Sequence, residues 1–301
     1  MENLVLTLLF LGVLFFLLGS GVWVGLSLLG VALVGMELFT SRPVGDAMAT
    51  TIWSASSSWT LTALPLFIWM GEILFRTRLS EDLGLLIPPS IILIVYGVTV
   101  NESIAGLFMA GVFPGIMLAL LFMTYIVLRA VLNPEGMPPR DAAIGFVQKI
   151  RDSFSLLPVV LLILAVLGSI YAGIATATEA AVLGVAGALI ISALQGSLTR
   201  ASFAESLMGA TRTSCMIALI LAGADFLSLA MGFTGLPRNL AAWIATLELT
   251  PLALIAVLTV FYIVLGCFLD GISAVVLTMA VVEPMVRQAG IDMLWFGIFL
   301  V

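Results

Sequence analysis

The chain has 301 residues, of which 62% are hydrophobic and only 9% charged, against roughly a quarter charged in soluble domains. Its net charge of −6 is scattered over short polar breaks and makes neither an acidic tail nor a basic patch, so no nucleic-acid partner is implied. With no histidine at all, the sequence excludes histidine general bases, Ser-His hydrolysis and ordinary zinc catalysis.

The apolar residues fall in runs of about 15 to 30, the length of bilayer crossings, so the expected fold is all-α and polytopic, with the lipid bilayer as solvent. From Leu4 to Phe39 the chain is nearly uncharged and as one helix would be roughly 54 Å long, too long for a ~30 Å core. Gly19-Ser20-Gly21 is the expected break. Thr40 to Thr60 is polar and Ser/Thr-rich. Leu61 to Phe75 is short, carries Pro65 and ends in charge, which predicts a partial or tilted crossing.

Next, Gly84 to Ser90 contains Pro88-Pro89, which removes two backbone donors and forces Ile87 toward extended geometry, so a continuous helix cannot run through. In lipid such a break is tolerated only where it packs in protein or lines a cavity. Ile104 to Leu132 predicts a long span broken only at Pro114-Gly115. The polar loop that follows holds Arg140, Lys149 and Arg151. Two further spans, Phe154 to Gly173 and Ala180 to Leu194, put Arg200 and Arg212 in the compartment of Arg140 and Lys149, which the positive-inside rule makes cytoplasmic. Thr213 to Phe233 spans again. Pro251 to Leu269 ends at Asp270-Gly271, a short run stops at Glu283-Pro284, and Trp295 to Val301 opens a segment that looks cut short. The whole is one membrane domain, with N-terminal spans in 1–83, a broken helix and a span in 84–132, a cytoplasmic loop in 133–154 and second-half spans in 155–301. Cys215 and Cys267 lie in apolar runs and read as small packing residues.

Ionisable groups at membrane depth cost several kcal/mol unless paired, hydrated or facing a cavity, so they mark candidate sites. Glu72 stands near a segment end, where an interfacial or packing role suffices. Glu179, in a Thr-rich break, suits a pathway or a helix cap equally. Asp225 follows Ala222-Gly223-Ala224, a weak match to the Gly-x-Gly-Asp element of intramembrane aspartyl proteases, and no partner carboxylate accompanies it. Asp270 closes one span and opens another, where unwound backbone can offer carbonyls to a cation, although a plain helix-end role is open too. Ser90, beside the two prolines, joins Glu179 and Asp225 as a pathway candidate. Discontinuous helices of this kind mark secondary transporters.

Five stretches, Ala63 to Glu72, Gly84 to Gly97, Ile104 to Gly115, Gly173 to Ala181 and Leu265 to Ala274, occur in the order found in the large membrane subunit of tripartite ATP-independent periplasmic (TRAP) transporters. The chain resembles that DctM family. The resemblance implies a multi-pass protein of the bacterial inner membrane, not an enzyme, with discontinuous and re-entrant helices in an incomplete inverted repeat. It implies an elevator-type importer of C4-dicarboxylates or related small carboxylates that uses no cofactor, with Na⁺ as coupling ion. A periplasmic solute-binding protein would deliver the substrate, and a small four-helix membrane subunit would complete the complex. By similarity, backbone carbonyls around Gly84, Ile87 and Pro89 hold one Na⁺, and Gly266 and Asp270 belong to the second-half ion and substrate region. Relatives carry a long segment between the equivalents of Leu83 and Gly84 and continue past Val301 into a second Pro-Pro element. The expectation is therefore an internally deleted, C-terminally truncated member with incomplete ion sites, for which the alternative role is a transport-incompetent scaffold that binds the small subunit.

Overall fold

In lipid, an apolar run satisfies its backbone N–H and C=O groups within its own helix. The computed structural model describes residues 2–76, 90–133, 157–235, 237–239, 242, 246, 250–267 and 269–301, and the regular elements among these are helical. In chain order they are α1 (Glu2–Gly19), α2 (Val24–Phe39), α3 (Val44–Ser56), a 3-10 turn (Trp59–Thr62), α4 (Ala63–Arg76), α5 (Ile91–Thr99) and α6 (Ile104–Leu132). Then follow α7 (Leu157–Tyr171), α8 (Ala177–Leu194), α9 (Arg200–Thr234), α10 (Pro251–Gly266), α11 (Gly271–Gln288) and α12 (Met293–Leu300). Among the described residues α6, α8, α9 and α11 are long and apolar enough to cross a bilayer. The expected all-α, polytopic membrane fold is what the chain adopts.

Starts and stops follow local chemistry. Ser90, Ser103, Thr176, Thr199, Thr250, Asp270 and Asp292 each cap a helix by accepting a backbone N–H from the third residue on. The expected break between the first two spans is present, with Gly21 at φ +82° in the turn that joins α1 to α2. Gly235, at φ +67°, ends α9.

Close approach of small residues holds the centre. On α2, Gly25 meets α9 so tightly that a Cβ added at Gly223 would lie 2.6 Å from the Gly25 carbonyl oxygen, and one added at Gly25 would lie 2.8 Å from Leu219 Cγ. Further along, Gly35 packs near Ala230, so α2 and α9 run parallel. Where water supplies no driving force, such backbone proximity is the chief source of helix association. Opposing this pair, α4 runs antiparallel to α9, and a Cβ at Gly209 would meet the Glu72 carboxylate at 2.7 Å. Packing of α8 against α4, and of α7 against α8, completes this group.

A second group consists of α5, α6, α10, α11 and α12. Its centre is the buried Tyr96, whose hydroxyl donates to the Met293 carbonyl at 2.6 Å while its ring fills the space over Gly297. The groups join where α9 meets α11 and where the Phe67 and Phe108 rings meet edge to face at 5.6 Å. Past Pro114, α6 exposes apolar side chains such as Leu118, Leu121, Phe122 and Ile126, the surface of a lipid-embedded helix.

The antiparallel pairs put the end of α6 and the starts of α7 and α9 on one side, with Arg129 and Arg200 there. We call it the basic side. Several sequence expectations need correction. Helix α6 is continuous through Pro114, and α11 runs through Glu283-Pro284 to Gln288; each proline costs one ladder bond, which in α11 the buried Val282, Met285 and Val286 offset. Helix α9 begins at Arg200 rather than Thr213. It is roughly 52 Å long at about 1.5 Å per residue, so its first three turns stand clear of the hydrocarbon core and carry Arg212 at the boundary. Inside the polar stretch 40–60 lies α3, which has no buried side chain. Cys215 and Cys267 are exposed, not packed.

Candidate functional site

Two helices begin part-way along the bundle. Ser103 caps α6 on the side opposite the basic one, and Gly111 of α6 lies 3.7 Å, measured to a Cβ placed on it, from Leu93 Cδ1 of α5. At about 1.5 Å per residue, the start of α5 is then roughly 15 Å from the start of α6, about half of a ~30 Å core. Helix α11 starts at the same level, since a Cβ on Gly271 would lie 2.8 Å from Ile92 Cδ1. Both helices point their N-terminal, positive ends toward the basic side from mid-depth.

Each start carries an oxygen side chain. Ser90 Oγ accepts from Leu93 N at 3.4 Å, and Asp270 Oδ2 accepts from Ser273 N at 3.1 Å. Gly266, the last residue of α10, leads into the exposed corner that ends at Asp270. Below it, Tyr262 and Thr278 share a hydroxyl–hydroxyl bond of 2.7 Å that ties α10 to α11. Pro114 of α6 stands near this level and leaves the Ala110 carbonyl without its helical donor. The arrangement offers half-helix positive ends to an anion, and carboxylate, hydroxyl and carbonyl oxygens to a hard cation.

The sequence-derived candidates thus divide. Ser90, Gly266 and Asp270 converge on the paired helix starts, whereas Gly84, Ile87 and Pro89 lie outside the described residues. Glu179 closes a capping box at the far end of α8, where its Oε2 accepts from Thr176 N at 2.8 Å and from Thr176 Oγ1 at 2.9 Å. Asp225 is half-buried within α9 and has no hydrogen bond or ion pair among the described residues. Removing the Glu179 carboxylate as Glu179→Ala is expected to lower the melting temperature slightly, whereas Glu179→Gln, which can still reach the Thr176 backbone, should melt close to the parent.

Two features escaped sequence reasoning. The first is a cavity of ≈ 450 Å³ on the side opposite the basic one, lined by Trp59, Asn101, Glu102, Ser103, Thr176 and Thr178. The second is a pair of acid–arginine–acid clusters. Arg76 bonds Glu72 at 2.8 Å and Glu205 at 3.2 Å on the basic side, and Arg287 pairs with Glu283 at 2.9 Å and Glu102 at 3.6 Å on the other. The Glu-x-x-x-Arg spacing in Glu72–Arg76 and Glu283–Arg287 was the available signal, but the second acid of each cluster comes from a distant segment.

Residues 79–301 match the family described as "Tripartite ATP-independent periplasmic transporter, DctM component". The chain belongs to the DctM family. It is 29% identical over 223 residues to the C4-dicarboxylate TRAP transporter large permease protein DctM of Pseudomonas aeruginosa, covering 74% of this chain and 52% of that one. The sialic acid TRAP transporter large permease protein SiaM of Vibrio cholerae is 30% identical over 229 residues, 75% of this chain and 52% of the relative. The isethionate TRAP transporter permease protein DctMQ of Oleidesulfovibrio alaskensis is 28% identical over 306 residues, 95% of this chain and 48% of the relative. The chain spans about half the length of these curated relatives. Membership in a transporter permease family, rather than any missing residue, sets the enzyme readings aside and makes the chain a multi-pass inner-membrane protein.

Proposed function

We propose that the chain acts as the large transmembrane subunit of a Na⁺-coupled, elevator-type importer of small organic anions, beside a small four-helix membrane subunit and fed by a periplasmic solute-binding protein. The observation that supports this reading is the meeting of two helix starts, capped by Ser90 and Asp270, part-way along the bundle of a DctM-family chain. Relatives named for C4-dicarboxylate, sialic acid and isethionate share an anionic group as the common chemistry. Paired positive helix ends suit that group, and the oxygen ligands beside them suit Na⁺. The basic side is cytoplasmic in this reading, and Asp225 serves as a further carboxylate along the pathway.

The test is uptake of a labelled C4-dicarboxylate into proteoliposomes holding the chain, the small subunit and the binding protein. An inward Na⁺ gradient should drive accumulation and an equal K⁺ gradient should not. Assembly with the small subunit but no solute movement would instead establish a scaffold.

A further inference from the structure

We propose that Arg287 is a positioning residue for the paired helix starts: it locks α5 lengthwise against α11 from the far end of both helices. The proposal rests on the reading of those starts as the transport site, and its geometry comes from the opposite membrane side. Helix α5 has only nine residues, too few to be stable by propensity, so tertiary contacts place it: the buried run Leu93 to Gly97, with Tyr96 bonded to Met293, and the contacts at its two ends. At one end Ser90 caps it. At the other, Arg287 donates from its terminal guanidinium nitrogen to the carbonyl of Val100, the C-cap residue of α5, at 3.4 Å. A cation there also meets the negative end of the helix dipole.

The turn that Arg287 grips is itself constrained. Asn101 adopts φ +55°, and a Cβ on Gly97 would lie 3.2 Å from the Glu102 carbonyl oxygen, so the turn cannot easily re-form one residue along. Glu102 faces the guanidinium at 3.6 Å, while Glu283, one turn back on α11, holds its Nε at 2.9 Å. One arginine therefore connects α11, the end of α5 and the turn into α6, and it neutralises one of two carboxylates that would otherwise face each other. Because α11 begins against Ile92 and ends at Arg287, the lock at one end sets the registry at the other. Ser90 and Asp270 are held at one depth by a residue that touches neither.

The test measures registry without relying on transport. In a Cys215→Ser, Cys267→Ser background, Ile92→Cys and Gly271→Cys are placed together and the rate of oxidative cross-linking in membranes is followed. Arg287→Gln is expected to slow cross-linking roughly fivefold, the size of effect a partly exposed ion pair carries. Arg287→Lys should keep most of the rate, and Glu102→Gln should lie between. Arg76→Gln, which breaks the other cluster, should leave it unchanged and so separates registry from general loosening. In the complex with native Ile92 and Gly271, Arg287→Gln should also raise the Na⁺ concentration for half-maximal uptake more than it lowers maximal uptake. Equal cross-linking rates with and without Arg287 would overturn the proposal. A parent complex that shows no Na⁺ dependence while cross-linking still responds to Arg287 would leave the lock standing and remove the transport reading of the site.

Discussion

Gly223→Leu is expected to yield no monodisperse folded protein in mild detergent. The backbones of α2 and α9 meet at Gly25 and Gly223, where even a Cβ would lie 2.6 Å from a carbonyl oxygen and 3.0 Å from Leu28 Cβ. Neither neighbour is the free end of a flexible side chain, so the helices must separate. Their separation also strips the packing around Leu28 and Phe226, both fully buried. Gly223→Ala should fold but lose about 1–3 kcal/mol, the usual cost of forcing a methyl into a filled interface. Gly232→Ala on the same helix provides the control, because nothing lies within 4 Å of its Cβ position and alanine is the better helix former by about 1 kcal/mol. Size-exclusion profiles and melting curves decide it. If Gly223→Leu elutes and melts like the parent, the α2–α9 contact is wrong.

Asp270→Asn is expected to keep the fold and weaken the Na⁺ dependence of uptake. Asparagine caps a helix about as well as aspartate, so the bond to Ser273 N survives and thermal stability should stay within ~0.5 kcal/mol of the parent. The negative charge does not survive. Asparagine still offers a carbonyl oxygen to a hard cation but no charge, so the Na⁺ concentration for half-maximal uptake should rise, by about tenfold. Asp270→Ala should show both defects, with the cap lost as well. Unchanged Na⁺ dependence in Asp270→Asn would make Asp270 a helix cap and nothing more.

Much of this fold is legible in the residues because lipid leaves the chain few choices. Apolar run length, the Gly19-Ser20-Gly21 break and Ser, Thr or Asp at the helix starts are local signals with local causes, and they place α1, α2, α6, α7 and α8 within a few residues. Prolines misled in one direction, since Pro114 and Pro284 sit inside continuous helices. Whether a proline breaks a helix depends on the packing around it, which sequence does not state. Ser90 and Asp270 could be singled out separately, each from its own helix boundary. Their common depth could not, because it depends on contacts of Ile92 with Gly271 and of Leu93 with Gly111, between segments far apart in the chain. Glu179 illustrates the reverse case: two roles fitted its sequence context, and the bonds to Thr176 show that it caps α8.

Joint binding of Na⁺ at the starts of α5 and α11 is tested by protection of single cysteines from thiol reagents. In the Cys215→Ser, Cys267→Ser background, Ser90→Cys and Ile272→Cys report on the two starts and Thr178→Cys on the distant end of α8. Na⁺ should slow labelling at the first two relative to equal K⁺ and leave the third unaffected. Equal rates in Na⁺ and K⁺ at both Ser90→Cys and Ile272→Cys would contradict it.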